Sequence, residues 1–229
     1  MSHFAIGIMI GESIIMLFYL LFYYRWGSKT ILLLKISTSF GFVLLGIINL
    51  QQANNLLFGT TVLLGLICGW LGDLALGLRN IYRSQKKEFF YAGLLLFFIG
   101  HIIYIIAFYQ FRSGSLFIPI IISLVLLSII YTISVKAKVD YKQAKIPVVA
   151  YMAISSFLLT FVLFNMLNDY AVVKLIIFLG ALSFVTSDFL LNFLYFKKIE
   201  RPKIRLLKAF NIVTYYLGQT LFAISIIFM

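Results

Sequence analysis

The sequence predicts an all-α integral membrane protein, a bundle of eight transmembrane helices, on three observations. Of the 229 residues, 63% are hydrophobic and only 11% are charged, whereas a soluble domain has roughly 25% charged residues. So many apolar side chains cannot be enclosed in one water-soluble core. The apolar residues also come in runs of about 20, the length that a helix needs to cross a bilayer. Short polar breaks separate the runs, and the charge of these breaks alternates along the chain.

Eight apolar runs account for almost the whole sequence. Because the breaks between them are short, consecutive helices must lie side by side and antiparallel, and we expect one compact domain over residues 1–229. The first run has neither a basic segment before it nor a small-residue cleavage site after it, so it is expected to stay as a span. No sequence repeat is evident. The runs lie near residues 4–24, 30–50, 56–78, 91–111, 115–135, 146–166, 171–195 and 206–228.

Basic residues are concentrated in every second break. The first, third, fifth and seventh breaks are rich in Lys and Arg, whereas the other three contain only Arg112 between them. Loops on the cytoplasmic side collect Lys and Arg, so both termini are expected outside the cytoplasm, and we expect the membrane to be a bacterial inner membrane. The same distribution explains the net charge of +12 without a nucleic-acid partner.

The scarcity of cysteine and histidine limits the chemistry. With Cys68 as its one cysteine, the chain is expected to form no internal disulfide. The two histidines, His3 and His101, are distant in sequence from each other and from Cys68. A zinc hydrolase uses about three protein ligands, so we expect no metal and no other cofactor.

Several ionisable side chains nevertheless lie inside the apolar runs. Inserting each of them at the centre of a transmembrane helix costs about 2.5–3.5 kcal/mol. An ionisable residue at such a position is therefore expected to have a structural or functional role. By helix rise, Asp73 lies about 9 Å before Arg79 and Asp188 about 13 Å before Lys197, which puts both in the cytoplasmic half of their spans. If these groups face inward, they meet in one cavity that opens toward the cytoplasm. The candidate site comprises Glu12, Lys35, Asp73, His101, Asp188, Asn192, Tyr215, Tyr216 and Gln219.

The two aspartates also have structural interpretations that stay open. Asp73 is either a functional carboxylate or one half of an ion pair with Lys35. Asp188 follows a threonine and a serine and precedes Asn192 by about one turn, so it could belong to a hydrogen-bonded seam between helices.

The other candidate residues have similar alternatives. His101 shares a helix face with Tyr104, which suits a packing histidine as well as a base. Glu12 either faces a cavity or extends toward the membrane surface, and Gln219 suits an interhelical hydrogen bond. Small residues near Asp73 either let another helix approach closely or leave room for a substrate; they are Gly65, Gly69 and Gly72.

Four short motifs follow one another in a set order. They are Gly72-Asp73-x-x-Leu76, the run from Phe89 to Phe108 that contains Gly100-His101-x-x-Tyr104, Ser187-Asp188, and Tyr215-Tyr216-x-x-Gln219. With the eight-span layout, they resemble the lysoplasmalogenase-like, or YhhN-like, integral membrane proteins over nearly the whole chain. The sequence departs from that family at Ile36, where proline is frequent, and at Gly218, where alanine is frequent.

The resemblance implies an enzyme that hydrolyses the vinyl ether bond of lysoplasmalogens, releasing a fatty aldehyde and a glycerophospho-alcohol. It also implies that two intramembrane aspartates matching Asp73 and Asp188 are the catalytic pair. The expected partners are therefore a lysolipid substrate and the surrounding membrane lipids. The expected substrate contacts are Lys35, Tyr215, Tyr216, Gln219, Asn192, His101 and Glu12.

Two carboxyl groups suit this chemistry. Cleavage of a vinyl ether needs an acid that protonates carbon and a carboxylate that stabilises the resulting cation and activates water, as in glycosidases. We assign Asp188 as the acid and Asp73 as the base, although the sequence also permits the reverse.

Two other classes of protein stay open. A transporter of lipid or of a small cation would use the same polar cavity, but is expected to show inverted repeats and broken helices. A scaffold without chemistry would leave Asp73 and Asp188 as packing partners. The headgroup preference and the oligomeric state are left open by the sequence.

Overall fold

The computed structural model describes residues 2–228, and over that range it contains eight long α-helices and three short 3₁₀ turns. The all-α prediction is confirmed, and each of the eight described helices is long and apolar enough to cross a membrane. The helices are α1 His3–Phe22, α2 Ser28–Leu50, α3 Leu56–Leu78, α4 Lys86–Tyr109, α5 Phe117–Lys136, α6 Lys145–Asn168, α7 Val172–Phe196 and α8 Arg201–Ser225.

The helix ends differ from the predicted runs chiefly at α4 and α8. Helix α4 begins at Lys86 and α8 at Arg201, each five residues before the apolar run (91 and 206) that marks it in the sequence. Hydropathy detects only the part of a helix that crosses hydrocarbon, whereas the basic first turns of these helices extend beyond it.

Polar side chains cap two of the helix starts. The Ser2 Oγ accepts a hydrogen bond from the Ala5 amide at 3.2 Å, and the Asn55 Oδ1 accepts one from the Phe58 amide at 3.0 Å. The first amides of a helix have no partner within the helix, and such caps satisfy them.

The described helices group into two compact units. Unit 1 comprises residues 2–110 and 222–228, and unit 2 comprises residues 111–221. Unit 1 therefore holds α1 to α4 with the last residues of the chain, and unit 2 holds α5 to α7 with most of α8. The single-domain organisation stays a prediction.

In unit 1, glycines bring α3 and α4 together. A methyl group on Gly72 would lie 2.8 Å from the Phe97 ring, and one on Gly65 would collide with the Tyr104 ring. The Tyr104 ring packs in turn on Phe222, with 4.5 Å between ring centroids. These glycines were expected either to let another helix approach closely or to leave room for a substrate, and the structure shows the close approach of α4 to α3.

In unit 2, the helices make polar as well as apolar contacts. Thr160 of α6 donates to the Pro119 carbonyl of α5 at 3.0 Å. A methyl group on Gly218 of α8 would lie 2.9 Å from the Gly180 carbonyl oxygen of α7, so α7 and α8 are also in close contact. Polar groups inside a membrane need such internal partners, because no water is available to them.

Candidate functional site

Asp73 forms an ion pair with Lys35. The Lys35 Nζ lies 2.8 Å from the Asp73 Oδ1 and also donates to the Asp73 main-chain oxygen at 3.2 Å. The Asp73 side chain is 4% exposed and the Lys35 side chain 16%. The ion pair that the sequence left as an alternative is therefore present, and its lysine is the more accessible partner.

Ser39 holds the second oxygen of the same carboxylate. The Ser39 Oγ lies 2.5 Å from the Asp73 Oδ2 and 2.9 Å from the Lys35 main-chain oxygen. A hydroxyl has a single hydrogen, so Ser39 donates to a charged Asp73 carboxylate, or donates to the carbonyl and accepts from a protonated Asp73. This serine can thus hydrogen-bond either protonation state of the aspartate.

The packing of α3 against α4 accounts for the direction of the Asp73 side chain. Successive residues of an α-helix are about 100° apart around its axis. Since Gly72 faces Phe97 of α4, Asp73 is turned away from α4 and toward α2, which supplies both Lys35 and Ser39.

Tyr23 lies close to both Lys35 and Arg79. Burial raises the pKa of the Tyr23 hydroxyl, and the positive charges of Lys35 and Arg79 partly oppose that effect. The Arg79 guanidinium also lies 5.5 Å from the centroid of the Phe90 ring. Two cations, Lys35 and Arg79, therefore lie near Tyr23.

Glu12 and His101 are both buried. Glu12 packs on Gly41 of α2, where a methyl group would lie 2.9 Å from the Glu12 Cβ, so Glu12 does not extend to the membrane surface. The His101 Nδ1 lies 2.8 Å from the Phe97 carbonyl oxygen. A carbonyl oxygen only accepts, so that contact requires the hydrogen on Nδ1.

In unit 2, two hydroxyl groups of α6 contact Asp188. The Ser155 Oγ donates to the Asp188 Oδ2 at 3.3 Å, and the Tyr151 hydroxyl hydrogen-bonds with the same carboxyl group. Ser155 and Tyr151 both come from α6 and are buried, and Asp188 itself is half-buried.

The hydrogen-bonded seam expected near Asp188 exists: Asp188 bonds α6, and neighbouring residues extend the seam. Ser187 and Asn211 exchange hydrogen bonds of 2.8–3.0 Å between α7 and α8. Asn192 donates to Ser134 at 3.0 Å and to Tyr141 at 2.9 Å. Since Ser187 faces α8, Asp188 is turned toward α6 by the 100° step between neighbours.

The candidate residues of α8 are buried within unit 2. Tyr215 packs edge-on against Phe184, with 5.5 Å between ring centroids, and against Tyr216 at 5.1 Å. Gln219 is fully buried. Substrate contact by Tyr215, Tyr216, Gln219, Asn192, His101 and Glu12 stays a prediction. The expected approach of Asp73 to Asp188 also stays a prediction.

Sequence reasoning missed three residues that hold the aspartates: Ser39, Ser155 and Tyr151. Ser39 lies four residues after Lys35, and Ser155 four residues after Tyr151, so each pair shares a helix face. That spacing was the one signal in the sequence. Inserting a serine or tyrosine into a membrane costs much less free energy than inserting an ionised group, so these residues do not stand out in an apolar run. Among the described residues, no group of three His, Cys, Asp or Glu side chains is placed to hold a metal.

The two carboxyl groups therefore have different chemical environments. Asp73 has a cation and a hydroxyl as partners, whereas the contacts resolved at Asp188 come from two hydroxyls. An adjacent cation stabilises a carboxylate, as Lys35 does for Asp73.

Comparison with known proteins gives one match. The model of the YhhN family matches residues 30–226, which is most of the chain and includes both aspartates. No curated protein and no solved structure matches the sequence.

Proposed function

Because the chain belongs to the YhhN family, which includes lysoplasmalogenases, we propose that it is a membrane-embedded hydrolase of the vinyl ether bond of lysoplasmalogens. The observation that carries the proposal is that each of the two intramembrane aspartates is held by side chains of the preceding helix. Asp73 contacts a lysine and a serine, and Asp188 contacts a serine and a tyrosine. A reaction that uses two oriented carboxyl groups suits this arrangement.

The reaction begins with proton transfer to carbon. The Asp188 carboxyl gives its proton to the β-carbon of the vinyl ether, and the electron pair of the C=C bond forms the new C–H bond. The α-carbon then shares its positive charge with the ether oxygen as an oxocarbenium ion. A negative carboxylate near this ion lowers the barrier, because positive charge develops there as the transition state is approached.

Water completes the cleavage. Asp73 accepts a proton as a water molecule adds to the α-carbon, which gives a hemiacetal. The hemiacetal then collapses: its hydroxyl gives up its proton as the carbonyl of the aldehyde forms, the bond from the α-carbon to the glycerol oxygen breaks, and the glycerol oxygen takes up a proton. One water is consumed, and the proton that Asp188 gave to carbon is replaced by the one released from water.

Ser39 suits the role of Asp73 in this scheme. A base must exist in both charged and protonated forms during turnover, and the Ser39 hydroxyl can donate to the first or accept from the second. The Lys35 ion pair offsets part of the cost of a charged carboxylate inside the membrane.

The charge near Lys35 suits a lysolipid headgroup. Lys35 and Arg79 both lie close to Tyr23, and two neighbouring cations suit a phosphate. Arg and Lys are the usual protein partners of phosphate groups. The single alkenyl chain of a lysoplasmalogen would lie in the bilayer, and the lipid would enter the protein laterally from one leaflet.

The test is aldehyde release from a lysoplasmalogen by the purified protein in detergent. The matched control substrate has a saturated ether in place of the vinyl ether, because without a C=C bond there is no carbon to protonate. We expect aldehyde from the vinyl ether alone, and loss of turnover in Asp73→Asn and Asp188→Asn. Absence of turnover by the folded protein, together with lipid movement across vesicles, would instead favour a transporter.

A further inference from the structure

Helix α5 carries a groove on its exposed side. The groove has a volume of about 480 Å³, and all the side chains that line it belong to α5. Four of them are aliphatic, and each of these four is 44–57% exposed. The other three are polar: Ser128, Thr132 and Lys136. Because α5 is long and apolar enough to cross a membrane, this surface, the α5 groove, is available to lipid.

The three polar side chains form a line along the α5 groove. They are four residues apart, so each lies about 6 Å of helix rise from the next and on nearly the same side of α5. Lys136 is the last residue of the helix, which places its ammonium group at the membrane surface. Thr132 and Ser128 lie about 6 and 12 Å deeper. Along its length, the groove therefore changes from charged to hydroxyl-bearing to apolar.

The Thr132 hydroxyl is available to a partner from outside the chain. Other exposed hydroxyls bond their own helix: Thr60 and Thr186 donate to the main-chain oxygen four residues earlier at 2.7 Å, and Ser128 does so at 2.8 Å. Thr132 has no hydrogen-bond partner among the described residues. An unsatisfied hydroxyl is costly in an apolar medium, so an external acceptor suits this position.

Positive charge surrounds the surface end of the α5 groove. Lys136 forms no ion pair with a described residue. The Lys145 Nζ lies 5.8 Å from the centroid of the ring of Tyr131, the neighbour of Thr132 in α5. Residues 136–145 contain four lysines and one aspartate, a net charge of +3 (four less one). A ligand that fits here carries negative charge at the membrane surface.

We propose that the α5 groove binds an anionic glycerophospholipid of the surrounding membrane. The phosphate of the lipid meets Lys136, an ester carbonyl accepts a hydrogen bond from Thr132, and an acyl chain lies along the aliphatic side chains. Phosphate, ester and hydrocarbon follow one another in the lipid in the same order as the matching parts of the groove. No carboxyl group lines the groove, so this lipid is not a substrate, and the inference goes beyond the proposed function without resting on it.

Charge decides between the possible occupants. A zwitterionic lipid such as phosphatidylcholine carries a quaternary ammonium, which the lysines of residues 136–145 repel. A second copy of the chain fits less well too, because two copies related by an axis along the membrane normal present the same residues to each other. Their α5 helices would run in the same direction, and the two Lys136 side chains would meet at one membrane surface.

The experiment is native mass spectrometry of the purified, delipidated full-length protein, titrated in detergent with phosphatidylglycerol or with phosphatidylcholine. We expect one phosphatidylglycerol to bind about fivefold more tightly than phosphatidylcholine. Lys136→Gln should weaken phosphatidylglycerol binding about fivefold and reduce its advantage over phosphatidylcholine. Thr132→Val keeps the shape of the side chain and should weaken both lipids about threefold, because both have ester carbonyls.

Two matched variants test whether these effects belong to the α5 groove. Lys198→Gln removes an exposed lysine from the break between α7 and α8, and Thr60→Val removes an exposed hydroxyl that bonds its own helix. Neither should change the affinity for either lipid. Since all four substitutions are at exposed positions, each protein is expected to fold, and thermal denaturation in the same detergent checks this.

Three results would overturn the inference. The first is equal affinity of the parent protein for both lipids, and the second is a Lys136→Gln protein that binds phosphatidylglycerol as the parent does. The third is a Lys198→Gln protein that loses as much affinity as Lys136→Gln. A dimer that becomes more abundant in Lys136→Gln would assign the groove to a second copy of the chain, and would overturn the inference as well.

Discussion

The Lys35 ammonium group lies 2.8 Å from the Asp73 carboxylate, and both side chains come from long apolar helices. Removing one partner of such a pair leaves an uncompensated charge, whereas removing both leaves none. We expect Lys35→Met to lower the free energy of unfolding by about 3 kcal/mol. Lys35→Met combined with Asp73→Asn should recover part of that loss. Thermal denaturation of the four proteins of this cycle in one detergent gives the measurement; additive losses would contradict a coupled pair.

Removing the Ser39 hydroxyl should impair turnover more than folding. A hydrogen bond to a charged group contributes about 1.5–3 kcal/mol, so Ser39→Ala is expected to lower kcat about 10- to 100-fold if Ser39 orients Asp73 in the transition state. Ser39→Thr keeps the hydroxyl and should restore part of the rate. Steady-state aldehyde release gives kcat, and Thr38→Val is the matched control. An Ser39→Ala enzyme as fast as the parent protein would exclude this role.

Tyr151 and Ser155 should matter in the same way for Asp188. Tyr151→Phe removes only the hydroxyl that bonds the Asp188 carboxyl, and we expect about a tenfold or larger fall in kcat with a small change in KM. Tyr131→Phe, in the neighbouring helix α5, is the control because the contact resolved for its ring is with Lys145, at 5.8 Å. Equal effects of the two substitutions would show that the Tyr151 hydroxyl is not specific to the reaction.

Both aspartates should be required for turnover but not for folding. Asn keeps the volume of Asp and much of its hydrogen bonding but cannot exchange a proton at pH 7. Asp188→Asn should therefore lower kcat by a factor on the order of 10²–10⁴, the usual contribution of a general acid or base. The measurement is single-turnover aldehyde release, with thermal stability recorded on the same sample. Substantial turnover after this substitution would rule out Asp188 as the acid.

Cysteine labelling tests the predicted orientation. In a Cys68→Ser background, His3→Cys should react with a membrane-impermeant maleimide from outside intact cells, because both termini are expected there. Ser84→Cys lies in the basic break between α3 and α4 and should react only after the membrane is opened. Reaction of both positions from the same side would contradict the alternating charge pattern.

Much of the fold was predictable because the signal for a membrane span is local. A run of about 20 apolar residues must be a helix in hydrocarbon, since only internal hydrogen bonds satisfy its backbone. All eight runs were found in this way. The first turns of α4 and α8, which begin at Lys86 and Arg201, were not predicted. Their residues are basic, and hydropathy marks only the apolar part of a helix.

The amino-acid sequence by itself determined the eight helices and singled out Asp73 and Asp188, because an ionisable group in an apolar run is costly wherever the helix points. Only the tertiary structure decided which side chains hold them. Gly72 against Phe97, and Ser187 against Asn211, set how far α3 and α7 are rotated about their axes. That rotation brings Ser39 to one aspartate and Ser155 to the other, and helix rotation depends on packing between helices that are distant in sequence.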